Sequence, residues 1–259
     1  MYTAQLPPFR MEMDRNVDFS AKVTIRSRVD VLRTIKDNLN ENELRVFRRY
    51  SQLGQFIDWA DKWDFSGQLV HYLLQRKIKT SKQRELWFAI GGKPLRFSMK
   101  EFALVSGLKT GALPSRTELE RVTEDHHLMD ELFGEGVRVT LDMIRNEFLN
   151  VPSEARSRKK VRLAFVYLLV GFLMAQDPKK NVDPFYFQIV TDLELFDSFP
   201  WGKLCFELII DYLSIDMNVK YQERQKKKKT AEEKYNFYGF AHLFQVRYYF
   251  LVYTFIFFD

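Results

Sequence analysis

The sequence predicts an α+β fold: a mostly helical single domain carrying a small antiparallel β-hairpin. Two observations carry this. Most of the chain repeats apolar residues three and four apart, the spacing that buries one face of a helix. The stretch from Glu85 to Pro114 departs from it, with a short aromatic and aliphatic run, a Gly-Gly pair and a returning run. The chain has 259 residues, 46% hydrophobic and 15% aromatic, enough for one large core or two small ones. With 24 phenylalanines that core is expected to be aromatic-rich. No repeat of fixed period divides it.

Taken in order, residues 1–27 contain proline and charge without clean periodicity, and a mobile N-terminal arm is expected. Val29, Leu32, Ile35 and Leu39 mark the first helix. Asn40 with Glu43 makes the next N-cap, and Leu44 to Trp59 reads as one or two short helices broken at Gly54. Ser66 opens another, with Leu69, Leu73 and Leu74 inward. Gln75-Arg76-Lys77 closes it, placing cations where the helix dipole is negative.

The hairpin follows. Leu86 to Ile90 has the composition strands prefer, Gly91-Gly92 can take positive φ at both turn positions, and Leu95 to Phe97 returns. Pro94 has no N–H to give a ladder, so this arm belongs at an edge. At Ser98 the period changes to a helix. Ser98 and Glu101 stand at capping-box spacing, Phe102 and Val105 fall on one side, and Gly107 suits the left-handed position after the helix, with Leu108 folding back.

Beyond Pro114, Ser115 to Asp130 is polar and reads as a surface loop or short helix. Thr140 caps a helix with Leu141, Ile144 and Phe148 inward. Pro152-Ser153-Glu154 is read as the start of the longest helix, basic in its first half and apolar nearly all round from Leu163 to Met174, which places the second half in a core. The apolar run Leu163 to Ala175 falls short of the roughly 20 residues a membrane span needs, so no span is expected. Pro184 to Leu195 is mixed, Phe199-Pro200-Trp201-Gly202 reads as an aromatic turn, and Leu204, Leu208, Ile209 and Tyr212 mark a helix face. Residues 221–236 read as a charged linker within a domain spanning 28–245. Phe237 to Phe244 begins one more helix. Residues 246–259 form an atypical aromatic tail without a polar face, expected to be a truncated or misread gene end and aggregation-prone if exposed.

The hairpin region also carries a resemblance. Leu86-Trp87-Phe88, Gly91-Gly92-Lys93-Pro94, Arg96-Phe97-Ser98, Lys100 to Val105, Gly107-Leu108 and Gly111 with Leu113-Pro114 together resemble the plant domain of unknown function 1985. The likeness continues from Asp192 through Trp201-Gly202 and at Gly239-Phe240-Ala241, covering roughly Arg28 to Leu243. More distantly, the strand–turn–strand–helix core resembles the plant mobile domain. The resemblance implies a module found in plant proteins related to ubiquitin-like-specific cysteine proteases and in transposon-associated proteins. It brings no activity that can be transferred residue by residue, and the His, Asp and Cys of the protease relatives have no counterpart here.

Little in the chain points to chemistry. Cys205, the one cysteine, can form no internal disulfide, fits a reducing compartment, and sits in an apolar helix pattern as an inert buried thiol. Asp125, His126, His127, Asp130 and Glu131 form the one cluster of metal-ligand types, without a second ligand pair, and read as polar surface; His71 and His242 are isolated. Gly91-Gly92-Lys93-Pro94 lacks phosphate-loop spacing, and Gly134-Glu135-Gly136 is a turn. No cofactor and no metal are expected, and the chain is not expected to be an enzyme.

The charge balance is 40 Lys and Arg against 34 Asp and Glu, a net of +6. Arg156, Arg158, Lys159, Lys160 and Arg162 would line one end of a helix. Arg224 with Lys226, Lys227, Lys228 and Lys229 forms a second cluster that resembles a nuclear-import peptide. Lys93, Arg96 and Lys100 rim the hairpin. Neither cluster is interleaved with aromatics for base stacking. The leading expectation is a non-catalytic interaction or accessory domain for an unknown protein partner, nuclear in preference to cytoplasmic. The alternatives are a non-specific nucleic-acid-binding protein of transposon origin and a hydrolase with an unrecognised site.

Overall fold

A computed structural model of the chain describes residues 9–14, 17–59, 61, 65–123, 127–153, 158–175, 177–226 and 233–246. The core is built around one buried helix, α8 (Lys159–Leu168), which runs on into a π-helical turn at Leu169–Leu173. Val161 and Leu163 to Ala175 are buried almost without exception, the environment expected for a helix apolar on every side. The π-turn has a local cause and a use. Met174 N donates to Leu169 O five residues back, and Gly171 has no side chain: a Cβ there would meet Val31 Cγ2 at 2.7 Å. Arg28 N then donates to Gly171 O and Ser27 Oγ to Phe172 O, so the chain entering the first helix is tied to the central one.

Around this axis lie α1 (Val29–Asn38), α2 (Glu41–Arg49), a 3-10 turn at Gly54–Trp59 and α3 (Gly67–Gln75). Asn40 and Glu43 form the expected reciprocal cap, and Ser66 Oγ accepts from Leu69 N. Phenylalanines link the layers: Phe47 stacks on Phe165 at 4.4 Å between centroids, Phe165 on Phe196 at 4.6 Å, and Phe172 meets Phe240 at 4.6 Å. Such ring pairs add directional preference to a large burial of area.

The hairpin is β2 (Glu85–Ile90) paired antiparallel with β3 (Lys93–Ser98), Leu86 opposite Phe97 and Phe88 opposite Leu95. Gly91 and Gly92 both take positive φ. Ala89 N and Trp87 O bond to residues 76–78 on the other side of β2, so the Ala89–Pro94 pair is a non-hydrogen-bonded one and Pro94 costs the ladder nothing. Ser98 and Glu101 cap α4 (Met99–Ser106), and Gly107 stands at φ 68° after it.

Then come α5 (Arg116–Thr123), α6 (His127–Phe133) and α7 (Leu141–Asn150). After α8 follow α9 (Phe185–Ile189), α10 (Leu193–Ser198), α11 (Trp201–Leu213), α12 (Met217–Lys226), and residues 241–246, again helical. The fold is mostly helical α+β with an antiparallel hairpin, as expected. Within the described residues no helix is long and apolar enough to cross a membrane.

Several expectations need correction. The N-terminal arm is structured where it is described: Met13 and Phe19 are buried, and Ala21–Ile25 forms β1. The charged linker is also structured, because Tyr221 to Lys226 belongs to α12 and Glu233–Phe237 forms β4. β1 and β4 pair in parallel, Val23 opposite Tyr235, in a second sheet that the sequence reading missed. Phe237 is therefore strand rather than helix. Neither strand reads clearly alone, since each is only five residues long, carries charged or polar residues between its apolar ones, and finds its partner at the opposite end of the chain. Third, the central helix begins at Lys159, with Val151 to Ser153 non-helical. Fourth, Trp201 and Gly202 are the first turn of α11 rather than a turn before it.

Candidate functional site

The three basic side chains on the hairpin rim do not act alike. Lys93 and Lys100 are exposed. Arg96 donates to Glu101 Oε1 at 2.8 Å, and its guanidinium lies 6.0 Å from the Trp87 ring. Burial works to raise the Glu101 carboxyl, but hydrogen bonds from Arg96 and Ser98 outweigh it and hold the group below the usual carboxylate range. Arg96 thereby braces the cap of α4.

The basic start of the central helix is dispersed in the same way. Arg156 lies outside the described residues. Lys160 is only 9% exposed, its amine 5.8 Å from the Phe148 ring. Arg162 donates to Thr191 O at 3.0 Å, Lys159 pairs with Glu131, and Arg158 is exposed with its guanidinium 5.1 Å from the Tyr50 ring. Arg49 reaches the same ring at 5.4 Å. The fold thus supplies an aromatic partner that is absent from the basic cluster itself; the sequence signal was Arg48-Arg49-Tyr50 at the end of α2.

Of the second cluster, Arg224 and Lys226 sit in the last turn of α12, and Lys227, Lys228 and Lys229 lie outside the described residues. Of the histidine–carboxylate cluster, Asp125 and His126 lie outside them too, and Glu131 is engaged by Lys159.

A groove runs along the exposed side of α3. One part, a cavity of about 410 Å³, lies between residues 9–14 and 17–18, α3 and the Gly91-Gly92 turn; an adjoining depression of about 480 Å³ lies over His71. Asp18, Tyr72 and Gln75 line both, which makes them continuous. Tyr72 is 44% exposed, and Arg76, one helical turn on, lays its guanidinium over the ring at 3.3 Å from the centroid. Asp14 and Asp18 stand on the opposing segment. The Gly-Gly turn first read as a hairpin feature therefore forms one wall of the cleft.

The reactive side chains near the groove and in the core, His71 and Cys205, sit in structural settings. His71 Nδ1 lies 2.6 Å from Tyr235 Oη and its Nε2 2.5 Å from Phe19 O. Nε2 therefore donates to the carbonyl and Nδ1 accepts from the phenol, a neutral ring that ties α3 to β4 and to the segment before β1. Burial pushes its pKa below the ordinary histidine value, against the raising influence of the Phe19 carbonyl and Asp18. Cys205 is fully buried in α11, and burial pushes its thiol far above the ordinary range, which suppresses the thiolate.

The hairpin motif is linked to the distant Pro-Trp-Gly segment. Gly202 N donates to Lys109 O at 2.9 Å, and a Cβ at Gly202 would meet Leu108, Lys109 and Thr110. Trp201, buried beneath, donates from Nε1 to Phe196 O at 2.8 Å. Two of the stretches quoted for the resemblance, Gly107-Leu108 with the residues after it and Trp201-Gly202, thus pack against one another. No match was found among curated proteins or solved structures. The model of the family described as domain of unknown function 1985 matches residues 74–212, more than half of the chain, from the end of α3 through the hairpin and the central helix to α11; this protein belongs to that family.

Proposed function

We propose that this protein is a non-catalytic interaction domain that holds an extended segment of a protein partner in the groove over α3. The supporting observation is the stack of half-buried Arg76 on exposed Tyr72 in an open cleft, opposite Asp14 and Asp18 and beside the backbone of Gly91-Gly92. Tyrosine and arginine are the residue types that most often anchor interfaces, because each offers a large rigid contact surface with a polar edge. Two carboxylates across the cleft suit a basic segment. His71 and Cys205 have the structural settings described above, which further supports a binding reading over a catalytic one.

The resemblance to modules of plant protease-related and transposon-associated proteins makes an accessory role in such an assembly the natural context. The run from Arg224 to Lys229 supports nuclear residence. The test is affinity purification from plant nuclei with nuclease treatment, comparing the native chain with Tyr72→Ala and Arg76→Glu. A protein recovered with the native chain and lost with both variants is the expected result. Recovery that disappears on nuclease treatment, or that survives both substitutions, overturns the reading.

A further inference from the structure

We propose that Arg49, Tyr50 and Arg158 form a phosphodiester-binding site for single-stranded nucleic acid, separate from the groove over α3. Tyr50 follows the last residue of α2 and is half-buried, so its ring is held by the fold. The guanidinium of Arg49 lies 5.4 Å from that ring and that of Arg158 5.1 Å. Both arginines are exposed. The cation–π contact orients each guanidinium without using its five N–H donors, which stay available for an anion.

Three acids on neighbouring elements have partners of their own. Glu43 is buried in the cap of α2, where it accepts from Asn40 N and from Ser153 Oγ. Glu131 pairs with Lys159 and Asp58 with Arg48. Among the described residues neither Arg49 nor Arg158 has an ion-pair partner within 4.0 Å. Arg45, four residues before Arg49 on α2 and also exposed, shares its side of the helix and extends the positive surface.

Two guanidiniums converging on one aromatic ring suit a polyanion that presents both phosphates and flat bases. Phosphates take the N–H forks, and a base can stack on a guanidinium plane. An acidic peptide offers only the first of these. Single-stranded nucleic acid is favoured for that reason, and because its flexible backbone can follow two cations set by a side-chain stack rather than by a groove.

The experiment is fluorescence anisotropy with a labelled oligothymidylate of about twenty nucleotides, titrated at several salt concentrations. The native chain is expected to bind, with affinity falling steeply as salt rises. Arg49→Glu/Arg158→Glu is expected to weaken binding about tenfold or more and to flatten the log–log salt slope by about 1.4, the loss of roughly two phosphate contacts at about 0.7 each on a single strand. The control is Arg33→Glu/Arg116→Glu, the same change in net charge at two arginines paired with Asp61 and Glu120. It is expected to retain most of the affinity. Tyr50→Phe should bind as the native chain does, and Tyr50→Leu several-fold more weakly, with folding of every variant checked by circular dichroism. The proposal is overturned if the native chain does not bind at low salt, or if the control loses as much as the Arg49/Arg158 pair. It is equally overturned if polyglutamate competes as well as the oligonucleotide with the same dependence on Tyr50, which would make the surface a site for acidic protein.

Discussion

Gly202→Ala would place a methyl carbon 2.8 Å from Leu108 Cβ, 2.8 Å from Lys109 O and 2.9 Å from Thr110 Cγ2, all shorter than the contacts that real Cβ atoms make. None of these atoms can withdraw easily. Lys109 O is already bonded to Gly202 N, Lys109 N donates to Gln52 Oε1 at 2.7 Å, and Lys109 Nζ reaches Asp197. Overpacking of a fixed site costs roughly 1–3 kcal/mol, and three simultaneous contacts put this one toward the upper end. Alanine's better helix propensity returns up to about 1 kcal/mol. The net loss is about 2 kcal/mol, which in a chain of this size lowers Tm by about 4–8 °C. Gly111→Ala is the matched control, since nothing lies within 4 Å of a Cβ there; it should be neutral or stabilising by about 0.4–1 kcal/mol. The assay is thermal and urea denaturation of both variants. If Gly202→Ala is as stable as the native chain, the close packing of α11 against residues 108–110 is refuted.

Four further outcomes follow from the same packing. Trp201→Phe leaves Phe196 O without its Nε1 donor in the core and should cost about 1–3 kcal/mol in urea unfolding, with m unchanged. His71 is held neutral with its pKa below 6.5, so the unfolded chain takes up protons that the folded chain refuses. Its contribution to stability is complete above pH 6.5 and declines as pH falls below that value, and His71→Gln should flatten the decline in a Tm-versus-pH series. Ser98→Ala removes the Oγ that accepts from Lys100 N and donates to Glu101, and should cost about 1 kcal/mol in the same denaturation assay. Cys205 should resist thiol reagents in the native state and react only as the chain unfolds, as measured by labelling rate against denaturant concentration.

The features legible in the sequence share one property: each is decided within a few neighbouring residues. The caps at Asn40 and Ser98 need a hydroxyl or amide and a glutamate three residues on. The turn needs Gly91 and Gly92, both found at positive φ, and Gly107 needs the left-handed conformation after α4. The burial of the run from Leu163 to Ala175 follows from its being apolar on every side. Those signals were enough to place the hairpin, most of the helices and the family.

The tertiary structure decided whatever depends on who meets whom. β1 and β4 each carry a period-2 pattern too short and too charged to read alone, and become strands through pairing across nearly the whole chain. The basic cluster at the start of the central helix looked like one surface. Packing instead directs Lys160 toward Phe148, Arg162 toward Thr191 and Lys159 toward Glu131, leaving Arg158 to meet Tyr50 and Arg49. The groove likewise has no local signature, because its walls come from residues 9–14 and 17–18, α3 and the hairpin turn. Short-range hydrogen bonding and hydrophobic period are written along the chain, whereas the composition of a surface is set only when remote segments are brought together, and both candidate binding surfaces here belong to that second kind.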